Sequence, residues 1–404
     1  MDKDAASFLK YLAVSCLMLL AAAATFDVLV DPYLFFNSPR IAGFNARKPS
    51  VDTQERLMKA YDVIRAEPAS LVLGSSRMDL GLSAQSPRWP GMSLPVYNLS
   101  FYAGSPYVSH RYLQHLMVHR SPSLILLGVD FQFFLRDYEI GGGPEFEARL
   151  AVKPNGQPNE SISQQQIRDL HHALSLDALL DSMETLAANQ GERSSDIRAG
   201  NWIREEAPAE VDNYLLFEEN ELALLLEYRG KRINPEAMNE VRAILNLCAT
   251  RGTRVILIIN PMHSTELEIV HLLGLWPVYE DWKRQLVTLA SEHGSAGRVP
   301  LWDFTGYDEY STEAVPRGSH RMHWFLNSNH YTRALGNVML ESLFSHPVRG
   351  FGAVLTPENV EQHLEEVRQR RLLYVASAPA DLANLRIMFN IVNKPISVKL
   401  ADAK

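Results

Sequence analysis

The sequence has few cysteines and no excess of basic residues, and both shortages exclude classes of protein. Cys16 and Cys248 are the only cysteines among 404 residues. They do not predict a disulfide framework, and neither has the CxxC or Cys/His spacing of a metal site. The formal net charge is -8 and no run rich in lysine and arginine occurs, so the electrostatic footprint of a nucleic-acid-binding protein is missing. We predict no metal, no cofactor and no nucleic-acid partner.

The remaining composition is that of an ordinary folded protein. Hydrophobic residues make up 46% and charged residues 21% of the chain, which is typical of a globular protein and not of a disordered one. The length permits one large α/β domain with insertions, or two domains. We find no internal repeat and no low-complexity tract.

Residues 8–30 form the longest apolar stretch and are interrupted only by Lys10 and Asp27. A helix needs ~20 apolar residues to cross the hydrocarbon core of a membrane. Lysines precede the stretch and aspartates follow it, which favours a cytoplasmic N-terminus and an outward-facing body. A cleaved signal peptide is the alternative, because residues 21–25 are small. We favour an uncleaved membrane anchor over residues 1–30.

Apolar runs that alternate with helical patterns predict a central parallel sheet. The predicted strands are residues 71–73, 96–99, 124–130, 254–260 and 299–302. The predicted helices are residues 53–65, 107–119, 162–186, 218–228, 235–250, 278–291, 332–344 and 357–370. Gly141, Gly142 and Gly143 interrupt this pattern.

These elements predict four segments that follow the chain in order. Residues 1–30 are the anchor, and residues 31–66 are a connector with a lead-in helix. Residues 67–348 form the α/β domain, with a helical insertion at about 136–250 that we expect to cap the active edge of the sheet. Residues 349–404 are a C-terminal helix and tail.

Residues able to carry acyl transfer follow the predicted strands. That reaction needs a nucleophile, a base and donors for the oxyanion, and ligands bind outside the carboxyl ends of strands in open α/β sheets. Ser75 and Ser76 follow the first strand, although on their own they equally fit a helix N-cap. Gly104 follows the second strand, where its backbone N–H can approach a reacting oxygen. The other candidates are Asn98 in the second strand, Asp130 at the end of the third strand, and His330 in a loop before a helix.

Four short blocks, in this order and spacing, resemble the SGNH or GDSL-like hydrolase superfamily. Within it they resemble the membrane-anchored proteins related to DltD and to the alginate O-acetylation proteins AlgJ and AlgX. The blocks are Gly74-Ser75-Ser76-Arg77, residues 98–104, Gly128-Val129-Asp130 and Asn327-Ser328-Asn329-His330. The resemblance implies a flavodoxin-like three-layer sandwich. It also implies Ser76 as nucleophile, His330 as base, and Gly104 with the N–H of Ser76 as oxyanion donors.

Two positions depart from the family's pattern. Asn327 stands where the family commonly has an aspartate ahead of the histidine, and an amide cannot stabilise an imidazolium by charge. Asp303, which ends the fifth predicted strand, is a candidate substitute for that acid, although it equally fits a turn cap. Asp130 stands where many members have an oxyanion asparagine, and a carboxylate there opposes an oxyanion unless it is protonated or turned away.

Arg77 and His263 each have two interpretations. Arg77 either positions an anionic group of the substrate or pairs with an acid such as Asp79. His263 follows the fourth strand, so it either lines the same cleft or is a turn histidine bonded to the backbone.

The resemblance implies an outward-facing serine esterase or O-acyltransferase that acts on a cell-envelope polysaccharide or a related acyl ester. It would lie in a bacterial inner membrane as a single-pass protein with its soluble domain on the periplasmic or extracellular side. An envelope acylation complex is then an expected partner. The alternative is a non-catalytic accessory or glycan-binding protein with the same scaffold, which the departures at Asn327 and Asp130 favour.

Overall fold

The structure is a computed structural model that describes residues 3–135, 144–190, 196–199, 202–205, 213–293, 299–318, 321–377 and 379–393. Its α-helices are α1 (Lys3–Val30), α2 (Glu55–Ala66), α3 (Ser76–Gly81), α4 (Pro106–Met117), α5 (Pro144–Ala148), α6 (Ile162–Ala173), α7 (Leu176–Ala188), α8 (Asn213–Tyr228), α9 (Pro235–Thr250), α10 (Ser264–Leu272), α11 (Trp276–Glu292), α12 (Arg333–Phe344), α13 (Val360–Ser377) and α14 (Pro379–Val392). Its strands are β1 (Ser70–Leu73), β2 (Val96–Asn98), β3 (Leu124–Val129), β4 (Asp196–Ala199), β5 (Trp202–Glu205), β6 (Arg254–Ile259), β7 (Leu301–Asp303), β8 (Phe325–Asn327), β9 (His330–Tyr331) and β10 (Ala353–Leu355).

A six-stranded sheet in the order β10-β7-β6-β3-β1-β2 forms the centre of the fold. Every pairing in it is parallel except that of β10 with β7. Leu71 and Leu73 pack into one hydrophobic cluster, whereas Val72 between them packs into another. Side chains alternate across a strand, so both faces of the sheet are buried and its strands are apolar throughout. The predicted mixed α/β fold with a mostly parallel central sheet is confirmed.

The C-terminal segment belongs to this sheet, contrary to the predicted division at residue 349. Strand β10 pairs antiparallel with β7, with Val354 opposite Trp302. Helix α13 then returns over α11, where Arg368 Nη2 lies 2.6 Å from Glu280 Oε2. A three-residue strand that adds to a sheet edge has too weak a local pattern to be predicted, because its stability comes from its partner strand.

The helices of the predicted insertion, at about residues 136–250, also differ from the prediction. Helices α6 and α7 replace the single helix predicted over residues 162–186, because the Ser175 side chain accepts a hydrogen bond from the N–H of Ala178 and starts a new helix. They pack near α1 and α2 and do not form the expected cap. Helix α9 packs against α4 in the layer of helices beside the sheet. Helix α8 lies against β8, which leads into the turn that carries His330. The glycines at residues 141–143, which interrupt the predicted pattern, lie outside the described residues.

Helix α1 is long and apolar enough to cross a membrane by its length and composition. Beyond it, the chain folds back on itself before α2. The Lys48 ammonium group donates to the backbone oxygens of Val30 and Asp31 at 2.6 and 2.8 Å. Carbonyl oxygens at the C-terminal end of a helix interact favourably with a cation. The connector therefore holds the end of α1 against the domain.

Helix α12 approaches α3 at a contact that only glycine permits. A Cβ atom on Gly336 would lie 1.9 Å from the backbone oxygen of Gly81. We expect Gly336→Ala to lower the free energy of unfolding by about 3 kcal/mol, because backbone must move and the gain in helix propensity is smaller. Chemical denaturation measures this loss. Gly91→Ala is the control, since nothing lies within 4 Å of its Cβ position, and equal stability of the two variants would contradict the contact.

Candidate active site

The turn between β1 and α3 separates the roles of the two serines. Gly74 has a φ of +154°, a conformation that disfavours any residue with a Cβ atom. Ser75 is the N-cap of α3, and its side chain accepts from the N–H of Arg77. Ser76 is the first residue of the helix. The N-cap interpretation therefore applies to Ser75, and the Ser76 hydroxyl is left for another role.

The Ser76 hydroxyl meets the His330 imidazole across the fold. Ser76 Oγ lies 2.8 Å from His330 Nε2, although 254 residues separate them in the chain. Strands β8 and β9 form the antiparallel pair that presents the histidine, with Asn327 opposite His330. Ser76 and His330 thus have the geometry of a nucleophile and its general base.

The Asn327 amide fixes the orientation of this imidazole. His330 Nδ1 lies 2.9 Å from Asn327 Oδ1, which also accepts the backbone N–H groups of His330 at 2.9 Å and Asn329 at 3.2 Å. An atom that accepts two backbone N–H groups is the amide oxygen, so we assign the imidazole proton to Nδ1. His330 Nε2 is then the acceptor that faces Ser76.

Burial keeps the imidazole neutral. Burial and, to a smaller extent, the positive charge of Arg77 together lower the pKa of His330 to about 3. The ring is therefore unprotonated and able to accept a proton at neutral pH. Because no carboxylate faces Nδ1, the imidazolium that forms during proton transfer lacks a compensating charge at that position.

Asp130 is turned away from the Ser76 hydroxyl. Its Oδ2 accepts from Ser75 Oγ at 2.5 Å, and its Oδ1 accepts from Asn260 Nδ2 at 2.8 Å. Asn260 Oδ1 accepts in turn from the Tyr331 hydroxyl at 3.0 Å. This buried chain joins the ends of β1, β3 and β6 to the residue after His330. We infer that Asp130 holds the strand ends together and does not contact an oxyanion.

Arg77 pairs with acids other than the predicted Asp79. Its Nη2 donates to Glu266 Oε1 at 2.7 Å, and its Nε lies 3.8 Å from Asp130 Oδ1. The Tyr228 hydroxyl donates to the same Glu266 oxygen at 2.8 Å. Asp79 instead pairs with Lys59 at 3.1 Å. The fully buried Glu266 was not predicted as part of the site; the only sequence signal is an acidic residue in the first turn of a helix after a strand.

Residues 98–104, the second of the four sequence blocks, support the site through contacts with backbone atoms. Asn98 Nδ2 donates to the backbone oxygens of Met78 and Leu82 at 3.0 and 2.7 Å, so Asn98 holds α3 and has no free amide donor for an oxyanion. A Cβ on Gly104 would lie 2.6 Å from the backbone oxygen of Gly74, which explains the glycine. The Gly104 N–H donates to Phe101 O at 3.0 Å, so this implied oxyanion donor is already engaged.

Two predicted site residues lie elsewhere. Asp303 accepts from Lys283 Nζ at 2.6 Å and lies 2.9 Å from His363 Nε2, and these partners hold its pKa below the usual range. It makes no hydrogen bond to His330, so the prediction that it replaces the missing acid is wrong. His263 caps α10, and its Nε2 lies 2.7 Å from the backbone oxygen of Glu313. His263 is thus the turn histidine bonded to the backbone.

Across the described parts of the chain, no three His, Cys, Asp or Glu side chains are grouped so as to hold a metal ion. The site consists of Ser76, His330 and Asn327. Two buried polar networks, one around Asp130 and one around Glu266, lie beneath these residues and support them.

No protein-family model matches the chain, and a search of the curated proteins finds no significant relative.

Proposed function

We propose that this protein is a membrane-anchored, outward-facing esterase or O-acyltransferase with a Ser-His site of the SGNH type. Its substrate class would be a cell-envelope polysaccharide or a related acyl ester. The observation that carries the proposal is the 2.8 Å contact between Ser76 Oγ and His330 Nε2. The ordered blocks of the sequence, which resemble those of that superfamily, supply the substrate class.

In the proposed reaction, Ser76 Oγ attacks the acyl carbonyl carbon and His330 Nε2 takes the hydroxyl proton. The carbonyl oxygen becomes an oxyanion. The N–H of Ser76 is its candidate donor, because the first residue of a helix has no intrahelical acceptor. The C–O bond to the leaving alcohol breaks, and His330 returns the proton to that alcohol. Water or a sugar hydroxyl then attacks the carbonyl carbon of the acyl-serine while His330 takes its proton. The bond between that carbon and Ser76 Oγ breaks, and His330 gives the proton to Ser76 Oγ.

The strand order supports the finer description of the fold as a flavodoxin-like sandwich. The five parallel strands run β2-β1-β3-β6-β7 across the sheet. Counting only these strands along the chain, the order is second, first, third, fourth and fifth, which is the flavodoxin order. Ser76 follows the strand at the point where that order reverses, and this is where open α/β sheets bind their ligands.

The position of α1 supports an envelope substrate. Only three residues separate the end of α2 from the start of β1, so α2 runs back along the sheet. Near its start, Glu55 Oε2 accepts the backbone N–H of Tyr102 at 3.0 Å, and Lys59 pairs with Asp79. Tyr102 and Asp79 follow β2 and β1, so the connector from α1 reaches the domain at the carboxyl edge of the sheet. The proposed site and the end of the proposed span would then lie toward the same side of the protein. We propose that the protein crosses a bacterial inner membrane once.

A non-catalytic accessory protein of an envelope-modification complex is the second candidate. Asn327 is the observation that favours it, because an amide behind the histidine leaves the imidazolium uncompensated. Such a protein would bind glycan fragments without forming a covalent bond to Ser76.

Labelling with a fluorescent organophosphonate separates the two candidates. We expect the wild-type protein to be labelled and Ser76→Ala to remain unlabelled, because the probe needs an activated serine. Ser86→Ala is the matched control: Ser76 and Ser86 are each 8% exposed, but Ser86 Oγ bonds to Asn337 and lies outside the site. Labelling that persists in Ser76→Ala would remove Ser76 as the nucleophile, and an unlabelled wild-type protein would favour the accessory role.

A further inference from the structure

We propose that helices α6 and α7 lie against the outer surface of the membrane beside α1, with one apolar stripe immersed in the lipid. This inference rests on the membrane span that is part of the proposed function. The stripe consists of Ile167, Leu170, Leu174, Leu176, Leu180 and Met183. Its proposed occupant is the hydrocarbon boundary of a phospholipid bilayer.

The stripe is exposed and follows helical spacing. In α7, Leu176, Leu180 and Met183 are separated by four and three residues, so they share one face. Each is more than half exposed. In α6, Ile167 and Leu170 are three residues apart and also form an exposed apolar face. Exposed large apolar side chains that share a helix face are typical of an interaction site.

The opposite face of α7 is fixed to α1. Ala178, Ser182 and Thr185 are buried there, and their small side chains let the two helices approach closely. Ser182 Oγ donates to Asp27 Oδ1 at 2.8 Å. Helix α7 is therefore held to the end of α1 that leaves the proposed span.

The hydrogen bond to Asp27 sets the depth of α7. Asp27 is the first acidic residue after the apolar run, so it marks the end of the hydrocarbon core. Leu180 and Met183 lie within one turn of its partner Ser182. Leu29, on α1 itself, is also exposed, so the apolar surface of α1 continues past Asp27 near α7. A helix with one apolar face at this depth lies in the membrane interface.

Buried aromatic residues fix α6 and α7 to the connector. Tyr33 donates to Asp181 at 2.6 Å and stacks on His172 with ring centroids 5.0 Å apart. Phe35 and Tyr61 pack edge to face beside them. The position of α6 and α7 relative to the end of α1 is therefore set by packing within the protein.

The charges that border the stripe indicate what kind of lipid contact it makes. Asp177 and Glu184 are exposed on α7 beside the stripe, and Arg168 is exposed on α6 beside Ile167. These charges of both signs give no net attraction to anionic headgroups, so attraction must come from apolar burial. The contact should therefore be insensitive to salt and should not need anionic lipid.

Depth-dependent quenching of a fluorophore tests the inference on the full chain. We would reconstitute Cys16→Ser protein in phosphatidylcholine nanodiscs and label Met183→Cys with an environment-sensitive dye. Lipids that carry a spin label near the top of the acyl chain should remove most of its fluorescence, at both low and high salt. Val118→Cys is the matched control, because Val118 is 53% and Met183 58% exposed. Val118 follows α4 at the amino edge of the sheet, away from α1, and its dye should not be quenched.

A third labelled position separates this inference from the proposed span. Leu19→Cys, within α1, should be quenched by spin labels deep in the bilayer. Quenching at position 19 without quenching at 183 would overturn the lipid contact and leave the span intact. A dye at position 183 could instead be shielded from water without being quenched by the lipid spin labels. That result would overturn the lipid contact in favour of a protein occupant, such as a second copy of the chain. Absence of quenching at both positions would overturn both the span and the contact.

Discussion

Ser76→Ala is expected to lower kcat/KM for a chromogenic acetyl ester by at least about 10⁴-fold. The substitution removes the hydroxyl that lies 2.8 Å from His330 Nε2. Without the hydroxyl, no acyl-enzyme forms, and any remaining rate comes from binding and from water. The loss should appear in kcat with little change in KM, because the hydroxyl is used in bond formation and not in binding.

The measurement compares initial rates for purified wild-type and variant proteins. Ser86→Ala should retain the wild-type rate, because that serine is equally buried but bonds to Asn337. Thermal unfolding should be nearly unchanged in Ser76→Ala, so that lost activity reports chemistry and not folding. A Ser76→Ala protein that keeps wild-type turnover would exclude this serine from the reaction.

Asn327→Asp is expected to raise kcat roughly 10- to 10³-fold. A carboxylate at this position would accept the Nδ1 proton as the amide does, and would also stabilise the imidazolium by charge. In a serine protease the reverse change, from aspartate to asparagine, costs about 10⁴-fold. We expect a smaller gain here because Arg77 and the burial of the ring still oppose the imidazolium.

The same substitution should change the pH dependence. The pKa of His330 is lowered to about 3, so the acid limb of kcat/KM in the wild-type protein should lie well below pH 6, where an ordinary histidine would protonate. A neighbouring carboxylate raises a histidine pKa, and the acid limb of Asn327→Asp should therefore move to higher pH. The variant would gain most at neutral pH and lose part of that gain in acid.

Profiles of kcat/KM against pH for the two proteins test this shift. Asn329→Asp is the control, because it adds the same charge two residues away, where the hydrogen bond to His330 Nδ1 is not made. An acid limb that stays in place in Asn327→Asp, or that moves equally in Asn329→Asp, would contradict the assigned role of Asn327.

The parts of the fold with strong local patterns could be predicted from the sequence. The continuous apolar runs of β1, β3 and β6 indicate strands buried on both faces. Once parallel strands are assigned, their carboxyl ends must share an edge, which places Ser76 and Asp130 together. His330 could be joined to them only through the resemblance, because 254 residues separate it from Ser76 and no local rule predicts that contact.

The remainder depends on tertiary partners that have no local signal. Glu266 is buried because Arg77 and Tyr228 supply its hydrogen bonds, and a sequence pattern does not pair residues so far apart. Asp303 has the expected place at the end of β7, but Lys283 compensates its charge and His363 Nε2 lies within hydrogen-bonding distance of it. Asn98 resembles an oxyanion residue by position, yet its amide is used to hold α3. The position of a residue at the carboxyl edge of the sheet is therefore not enough to assign it a role in the reaction.

The central claim is that Ser76 carries the acyl group during the reaction. Rapid acid quenching of the wild-type protein with an excess of acetyl ester, followed by peptide mass spectrometry, tests it most directly. We predict an acetyl group on Ser76 in the wild-type protein and none on that peptide in Ser76→Ala. Acetyl transfer to another residue, or turnover with no acylated peptide at any quench time, would contradict the claim.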